Sequence, residues 1–278
     1  EGFLEESMKY TTGDWTGLEQ TPENLNAAQN QNLKYWVKEL QIQDGDVILD
    51  GGCGWGTLPQ YLKNRFNLTY IGITISDFQV DYCRSKFTGI NNYYFYNHSY
   101  HNPYQEILAK SGVDQITKCI FLETIEHGGT RNWANILKNV RQVMSQKGIL
   151  GIQTIGADHP TLVCDPYINR YIFQHASLGS PSELGKAVES NRQFSMYKEN
   201  NIVKNYPATL RAWNYYFQKN WSKIQPHIAR IIDNTPFSAT EKWKRHWEFY
   251  LLFCTGVLES GTYPQVYQLT AKPNFFLT

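Results

Sequence analysis

With 278 residues, 41% of them hydrophobic, and a formal net charge of +1, the chain is long enough for one large α/β domain or a core with a cap. Its near-neutral charge excludes a broad electrostatic footprint for nucleic acid, and no apolar run is long enough to cross a bilayer. The five cysteines (Cys53, Cys83, Cys119, Cys164, Cys254) are scattered, odd in number and without a C-x-x-C pair. That spacing argues against a disulfide frame or a metal site and for reduced thiols in a cytoplasmic protein. No signal peptide is visible, and because the chain opens on Glu1 we expect its true start to lie upstream.

In chain order, Tyr10-Thr11-Thr12-Gly13-Asp14-Trp15 is too polar and too rich in small residues for a core strand. Thr21-Pro22 reads as an N-cap followed by proline at the first helical position. Leu25, Ala28, Leu33, Trp36, Val37 and Leu40 then form the apolar stripe of a helix. Asp44-Gly45-Asp46 turns into a first strand, Val47-Ile48-Leu49. It ends in Asp50 and breaks into Gly51, Gly52, Gly54 and Gly56 around Cys53 and Trp55. A helix is expected at Leu58 to Phe66, so the order strand, glycine turn, helix opens a nucleotide-binding α/β unit.

The spacing of that turn narrows the ligand. A dinucleotide site wants G-x-G-x-x-G, and a P-loop ends in Gly-Lys-Ser/Thr; neither is present. An acid, Asp50, beside bare backbone at Gly52 and Gly54 better suits S-adenosylmethionine, which carries an ammonium and a sulfonium but no phosphate. An ordinary tight βα turn remains the plainer alternative for this stretch taken alone.

Further strands are expected at Leu68 to Ile73, ending in Thr74-Ile75-Ser76; at Tyr93 to Tyr96, leading into Asn97-His98-Ser99; and at Cys119 to Leu122, running into Glu123-Thr124-Ile125-Glu126-His127. A fifth spans Ile149 to Ile155 and ends at Gly156. Helices at Gln79 to Lys86 and Asn132 to Met144 alternate with them. This alternation predicts a parallel, doubly wound sheet with ligands outside the strand C-terminal ends. From Pro166 the pattern changes to helical, aromatic segments: Tyr167 to Phe173, Glu183 to Ser190 and Tyr206 to Trp221. A long helix at Trp243 to Gly256 precedes a last strand at Tyr263 to Thr270. Aromatic residues reach 15%, with 19 Tyr and 8 Trp. They are enough to line a pocket for a bulky apolar or cationic ligand, or simply to make a tyrosine-rich surface.

These stretches resemble the cyclopropane-fatty-acid-synthase family of S-adenosylmethionine-dependent methyltransferases, from Tyr10 to Thr270. The resemblance rests on Tyr10 to Trp15, Leu49-Asp50-x-Gly52-Cys53-Gly54-Trp55-Gly56, Gly72-Ile73-Thr74-Ile75-Ser76-x-x-Gln79 and Ile125-Glu126-His127-x-Gly129. It continues through Gln153-Thr154-Ile155-Gly156, Ile172-Phe173 with Leu178-x-Ser180, and Tyr206-x-x-Thr209-Leu210-x-x-Trp213. It implies a class I methyltransferase, Rossmann-like α/β fold: a single domain with an N-terminal helical lid (1–40) and a cofactor-binding core (41–156). A helical substrate-cap insertion (157–240) and a C-terminal helix and strand completing the core (241–278) follow.

For the cofactor, the resemblance implies Tyr10 and Thr11 closing over it, with Asp50, Gly52, Cys53 and Gly54 under its methionine part. Thr74 and Gln79 reach its ribose and amino-acid side, His98 and Ser99 border the adenine, and Leu122 packs near the ring. Taken by themselves, Thr74 reads as a helix cap and Gln79 as an ordinary surface residue.

For catalysis, the family's methyl transfer to an alkene makes a carbocation, and a base must then remove a proton. In cyclopropane synthases that base is thought to be a bicarbonate held by a cysteine region, a glutamate, a histidine and a tyrosine. Glu126 and Tyr206 match the last glutamate and tyrosine; Thr12 stands at the cysteine position and Gln153 at the histidine position. The neutral amide of Gln153 removes a possible cationic donor to an anion, so Glu126 is expected to act as base directly, with Tyr206 orienting it and His127 as a further catalytic candidate. The expected reaction is methyl transfer to carbon of a lipid or isoprenoid alkene. N-methylation of a small aromatic amine, or cyclopropanation proper, stands as an alternative. A capping acid on a helix is the plainer reading of Glu126-His127. His159 reads as a loop constraint, and Arg170 and His175 read as a solvated helix face. The expected partner is a small apolar or aromatic substrate, with no nucleic acid, no integral membrane segment and a possible homo-oligomer.

Overall fold

A computed structural model describes residues 2–159, 165–173, 177–231, 240–261 and 264–274. The chain divides into two compact units: a large one of Leu33–Asn201 and Pro264–Thr278, and a small one of Glu1–Asn32 and Ile202–Tyr263. The boundary falls inside helix α1 (Leu25–Glu39).

The large unit is built on β1 (Val47–Gly51), β2 (Thr69–Thr74), β3 (Tyr93–Asn97), β4 (Ile116–Leu122), β5 (Met144–Gly156), β6 (Phe194–Asn201) and β7 (Gln265–Pro273). They form one sheet in the order β3-β2-β1-β4-β5-β7-β6. β1 to β5 run parallel, joined by α2 (Thr57–Leu62), α3 (Asp77–Lys86), α4 (Gln105–Lys110) and α5 (Trp133–Val143). α6 (Pro166–Tyr171) and α7 (Pro181–Glu189) follow β5. Strand order reverses between β1 and β4, which opens a crevice beyond their C-terminal ends.

Both faces of the sheet are covered, and the period-2 alternation of β1 shows it. Ile48 packs with Trp36, Leu40, Leu62, Tyr70 and Phe87 on one face. Leu49 packs with Ile71, Phe121, Trp133, Ile136 and Val140 on the other. Helix starts follow local chemistry. The Ser76 hydroxyl accepts from the Gln79 N–H to open α3. Ser180 and Glu183 make a reciprocal capping box, with Pro181 in the first turn, to open α7.

The small unit contains residues 2–32 and α8 (Tyr206–Lys219), α9 (Trp221–Ile231) and α10 (Thr240–Glu259). α8 and α10 are tied by the Gln218 amide donating to Glu248 and by an Arg211–Glu259 ion pair. Trp243, Trp247 and Tyr250 of α10 carry an aromatic row whose successive rings lie 5.4 and 5.6 Å apart.

The structure revises three sequence expectations. The sheet is mixed, because β7 runs antiparallel to β5 and to β6. The expected helical insertion at 157–240 contains a strand, β6; its backbone completes the edge of the sheet beside β7, and 157–201 stays with the sheet. Residues 202–263, α10 among them, group with the N-terminal segment. Finally, the Thr21 side chain makes no cap bond; Pro22–Asn24 forms a short 3₁₀ turn first, and α1 begins at Leu25. His175, Cys164 and the first residue of the expected last strand, Tyr263, lie outside the described residues.

Candidate functional site

In the large unit, the chain leaves β1 through Asp50 and Gly51 into the glycine turn. Gly52 has φ +138° and Gly54 φ +53°, conformations that cost an L side chain strain. A Cβ at Gly52 would lie 2.4 Å from the Thr124 side chain. A Cβ at Gly54 would meet nothing within 4 Å, so its backbone borders open space. Cys53 points inward; its N–H donates to the Ile73 carbonyl at 2.9 Å, and its thiol is held up by the neighbouring Cys83 and by burial.

Asp50 is 3% exposed. One carboxylate oxygen accepts from the Tyr70 hydroxyl at 2.5 Å; the other is buried without a hydrogen-bond partner. Burial pushes its carboxyl up to about 7. At the ends of β2 and β3, the Thr74 hydroxyl donates to Gln79 Oε1 at 2.6 Å, and the His98 N–H donates to the Thr74 carbonyl at 3.0 Å. His98 Nε2 is buried without a partner, and burial holds the imidazole below the usual histidine range. The Ser99 hydroxyl accepts from the His101 N–H. Leu122 ends β4 in the packed cluster that also contains Cys53 and Phe95.

Beyond β4 the chain makes the turn Glu123 to Gly129. The Thr124 hydroxyl donates to the Gly51 carbonyl at 2.8 Å, which ties this turn to the glycine turn. The Trp133 indole donates to the Ile125 carbonyl at 2.9 Å. These bonds hold Glu126, 3% exposed, inside. Its carboxylate accepts from the Thr154 hydroxyl at 2.8 Å and the Ile155 N–H at 3.3 Å. Burial pushes it up to about 8; the nearby Glu123 charge adds to that, and the bonds only partly offset it. His127 packs its ring 5.2 Å from that of Phe173, and burial lowers its imidazole. Gln153, fully buried on β5, donates through its amide to Glu123 Oε1 at 2.7 Å. Its carbonyl oxygen accepts from the Trp36 indole at 2.9 Å and the Gln268 amide at 3.0 Å.

Tyr10, Thr11, Thr12 and Tyr206 belong to the small unit. There the Lys9 ammonium donates to the Thr12 carbonyl at 2.7 Å and to Gln29 Oε1 at 2.8 Å, and the Gln29 amide donates to the Thr11 carbonyl. Thr11 Oγ1 is buried without a hydrogen-bond partner. The Thr12 hydroxyl donates to the Gly13 carbonyl at 3.1 Å. Tyr10 stacks on Trp213 with centroids 5.0 Å apart and shares a hydroxyl contact with Tyr250; Tyr206 meets Trp213 edge-on.

Two functional features escape the motif reading. Glu123 is buried with φ +52°, a backbone state that nothing in Leu122-Glu123-Thr124 announces. The Trp36–Gln153–Gln268 network joins residues far apart in sequence. Arg170, read as part of a solvated helix face, is exposed, and His159, read as a loop constraint, is bonded to the adjacent Asp158 in an exposed loop. Among the described residues no three His, Cys, Asp or Glu side chains cluster as a metal would require, and no helix is long and apolar enough to cross a membrane.

Comparison with known proteins bears on this geometry. The model of the mycolic acid cyclopropane synthetase family matches residues 1–269. The chain is 29% identical over 93% of its length to the cyclopropane-fatty-acyl-phospholipid synthase of Escherichia coli strain K12. It is 28% identical over 98% of its length to the sphingolipid C9-methyltransferase of Komagataella phaffii strain GS115. It spans 60% and 55% of those relatives' lengths, less than two thirds of either. In fold it is similar to a mycolic acid cyclopropane synthase, CmaA1, complexed with SAH and CTAB. The TM-score is 0.80 at 18% identity, over 97% of this chain and 92% of that one.

Proposed function

We propose, since the chain belongs to the mycolic acid cyclopropane synthetase family, that it transfers a methyl group from S-adenosylmethionine to carbon of an alkene-containing apolar substrate, a lipid or an isoprenoid. The similarity to a phospholipid-modifying synthase and a sphingolipid methyltransferase supports a lipid acceptor. The observation that carries the mechanism is Glu126, a carboxylate buried among few donors and pushed up to about 8.

The large unit's residues suit the cofactor. Gly52 and Gly54 offer bare backbone, and the partnerless oxygen of Asp50 suits an ammonium group. Thr74 and Gln79, already bonded to each other, and the partnerless Nε2 of His98 offer further polar contacts. S-adenosylmethionine supplies an electrophilic methyl group on a sulfonium.

What the protein must add is orientation and a proton acceptor. As the alkene's electron pair bonded the methyl carbon, the methyl–sulfur bond would break with its pair left on sulfur, and the adjacent alkene carbon would become cationic. Its neighbouring C–H bond then breaks, the electron pair closes a new alkene, and the proton passes to the Glu126 carboxylate. With Gln153 where the family has a histidine, the site offers an amide rather than a cation, which favours this direct route over ring closure. N-methylation is the second reading, favoured by His127, whose imidazole is held below the usual histidine range and suits an amine substrate.

The test is incubation with methyl-deuterated S-adenosylmethionine and unsaturated phospholipid, sphingolipid, prenyl diphosphate or aromatic amine acceptors, read by mass spectrometry. A lipid or prenyl product that keeps all the label on a carbon-bound methyl supports the proposal. Loss of one deuterium into a ring methylene moves the reaction to cyclopropanation, and label only on nitrogen moves it to the second reading.

A further inference from the structure

The network around Gln153 leads to Glu123, a residue that no motif singled out. Glu123 is 8% exposed. Its backbone sits at φ +52°, where a non-glycine residue is strained by about 1 kcal/mol or more. Two bonds to Gln153 help to hold it there. The Glu123 N–H donates to the Gln153 carbonyl at 2.6 Å, and the Gln153 amide donates to Glu123 Oε1 at 2.7 Å. Gln153 is itself fixed on its far side by the Trp36 indole and the Gln268 amide, so its NH₂ is turned toward the carboxylate. Three residues on, in the same turn, lies Glu126, which feels the Glu123 charge.

Burying two carboxylates in one turn is unfavourable unless something uses them. A strained backbone held by a dedicated network points the same way. A structural role would be met by an uncharged side chain, or by glycine, which adopts this φ freely.

We propose that Glu123 is a second carboxylate of the reaction centre: a built-in anion, aimed by Gln153, that partners Glu126 while Glu126 takes the proton from the substrate. The inference rests on the methyl-transfer reading given above. It also explains the amide at position 153. A cationic histidine suits an anion that arrives from solution; a neutral amide fixed by Trp36 and Gln268 suits a carboxylate already in the chain. The proton taken from carbon stays on Glu126 until it exchanges with solvent, and Glu123 changes no bonds.

The experiment uses Glu123→Gly, which fits φ +52° and leaves a space the size of a small anion. Wild-type turnover is expected to be the same in carbonate-stripped buffer as with added bicarbonate. Turnover of the variant is expected to fall about 100-fold at little change in KM, and to recover at least about 10-fold on adding bicarbonate or formate. The rising limb of its pH profile is expected to move to lower pH, because Glu126 loses a neighbouring negative charge. Carbon-13 NMR of labelled bicarbonate is the second arm and needs no acceptor substrate: binding by the variant and not by the wild type is expected. Wild-type dependence on bicarbonate, full turnover by the variant, or equal bicarbonate binding by both proteins overturns the inference. A wild type that methylates no acceptor fails the methyl-transfer reading, and the NMR arm still decides the role of Glu123.

Discussion

Glu126 keeps its unusual proton affinity because bonds from its own backbone, Thr154 and the Ile155 N–H only partly offset burial and the Glu123 charge, which both favour the neutral acid. Two measurable consequences follow at the scale of this residue. The first is kinetic. Glu126→Gln preserves shape and can still accept from Thr154, so cofactor affinity measured by calorimetry should change less than about 3-fold, while turnover drops by about 10² to 10⁴. Comparable losses of affinity and turnover would mean that Glu126 holds the site together rather than taking a proton. The second is thermodynamic. The folded carboxyl titrates near 8 and the unfolded one near 4.5. Its contribution to stability is therefore fully present below about 4.5 and is lost as pH rises toward 8, where the unfolded chain releases the proton first. At about 1.4 kcal/mol per unit this amounts to several kcal/mol, and Asp50 acts in the same direction between 3.8 and about 7. Thermal unfolding followed from pH 5 to 8 should show Tm falling with pH in the wild type and a shallower fall in Glu126→Gln. Parallel slopes would remove Glu126 from that account.

At the scale of elements, the join of β1 and α2 separates backbone strain from ligand contact. Gly54 and Gly17 both have positive φ, +53° and +73°, and neither has an atom within 4 Å of an added Cβ. Alanine at either position should therefore cost about the same, on the order of 1 to 2 kcal/mol. If the Gly54 backbone borders the cofactor, Gly54→Ala alone should also weaken S-adenosylmethionine binding by at least about 10-fold. Equal binding by the two variants would place the cofactor elsewhere. This turn was legible in the sequence because its constraint is local: glycines at fixed steps beside an acid that ends a strand. The central parallel strands β1, β2 and β4 were legible for a related reason, since each is buried on both faces and reads as a largely apolar run. β6 was not. Phe194-Ser195-Met196-Tyr197-Lys198-Glu199-Asn200-Asn201 is half polar, as an edge strand should be, and only pairing with β7 makes it a strand. Glu123 was hidden for the same kind of reason, since its strained φ and its Gln153 partner come from tertiary contacts and leave no mark on neighbouring residues.

At the scale of the whole molecule, the small unit joins two chain segments nearly as far apart as the sequence allows, and Thr209 of α8 is where they are hydrogen-bonded. Its hydroxyl oxygen, wholly buried, accepts from the Gly13 N–H at 3.1 Å and the Trp15 indole at 2.9 Å. The hydroxyl hydrogen is directed to the Asn205 carbonyl at 3.3 Å or shared with Thr12. One oxygen thus satisfies two donors from Tyr10 to Trp15, the stretch for which the family resemblance implies a cofactor-facing role but not what anchors it. Thr209→Val keeps the volume and removes the acceptor, stranding two buried N–H groups at about 1 to 3 kcal/mol each. Thr209→Ser keeps the acceptor and loses one methyl group, at about 1 kcal/mol. Urea unfolding should therefore rank wild type, then serine, then valine. Native-state hydrogen exchange at Gly13 and Trp15 should accelerate in the valine variant while amides of β4 and β5 stay protected, because those strands belong to the large unit. If valine instead matched serine, the stacking of Tyr10 on Trp213 would suffice to hold the N-terminal segment, and Thr209 would be dispensable to it.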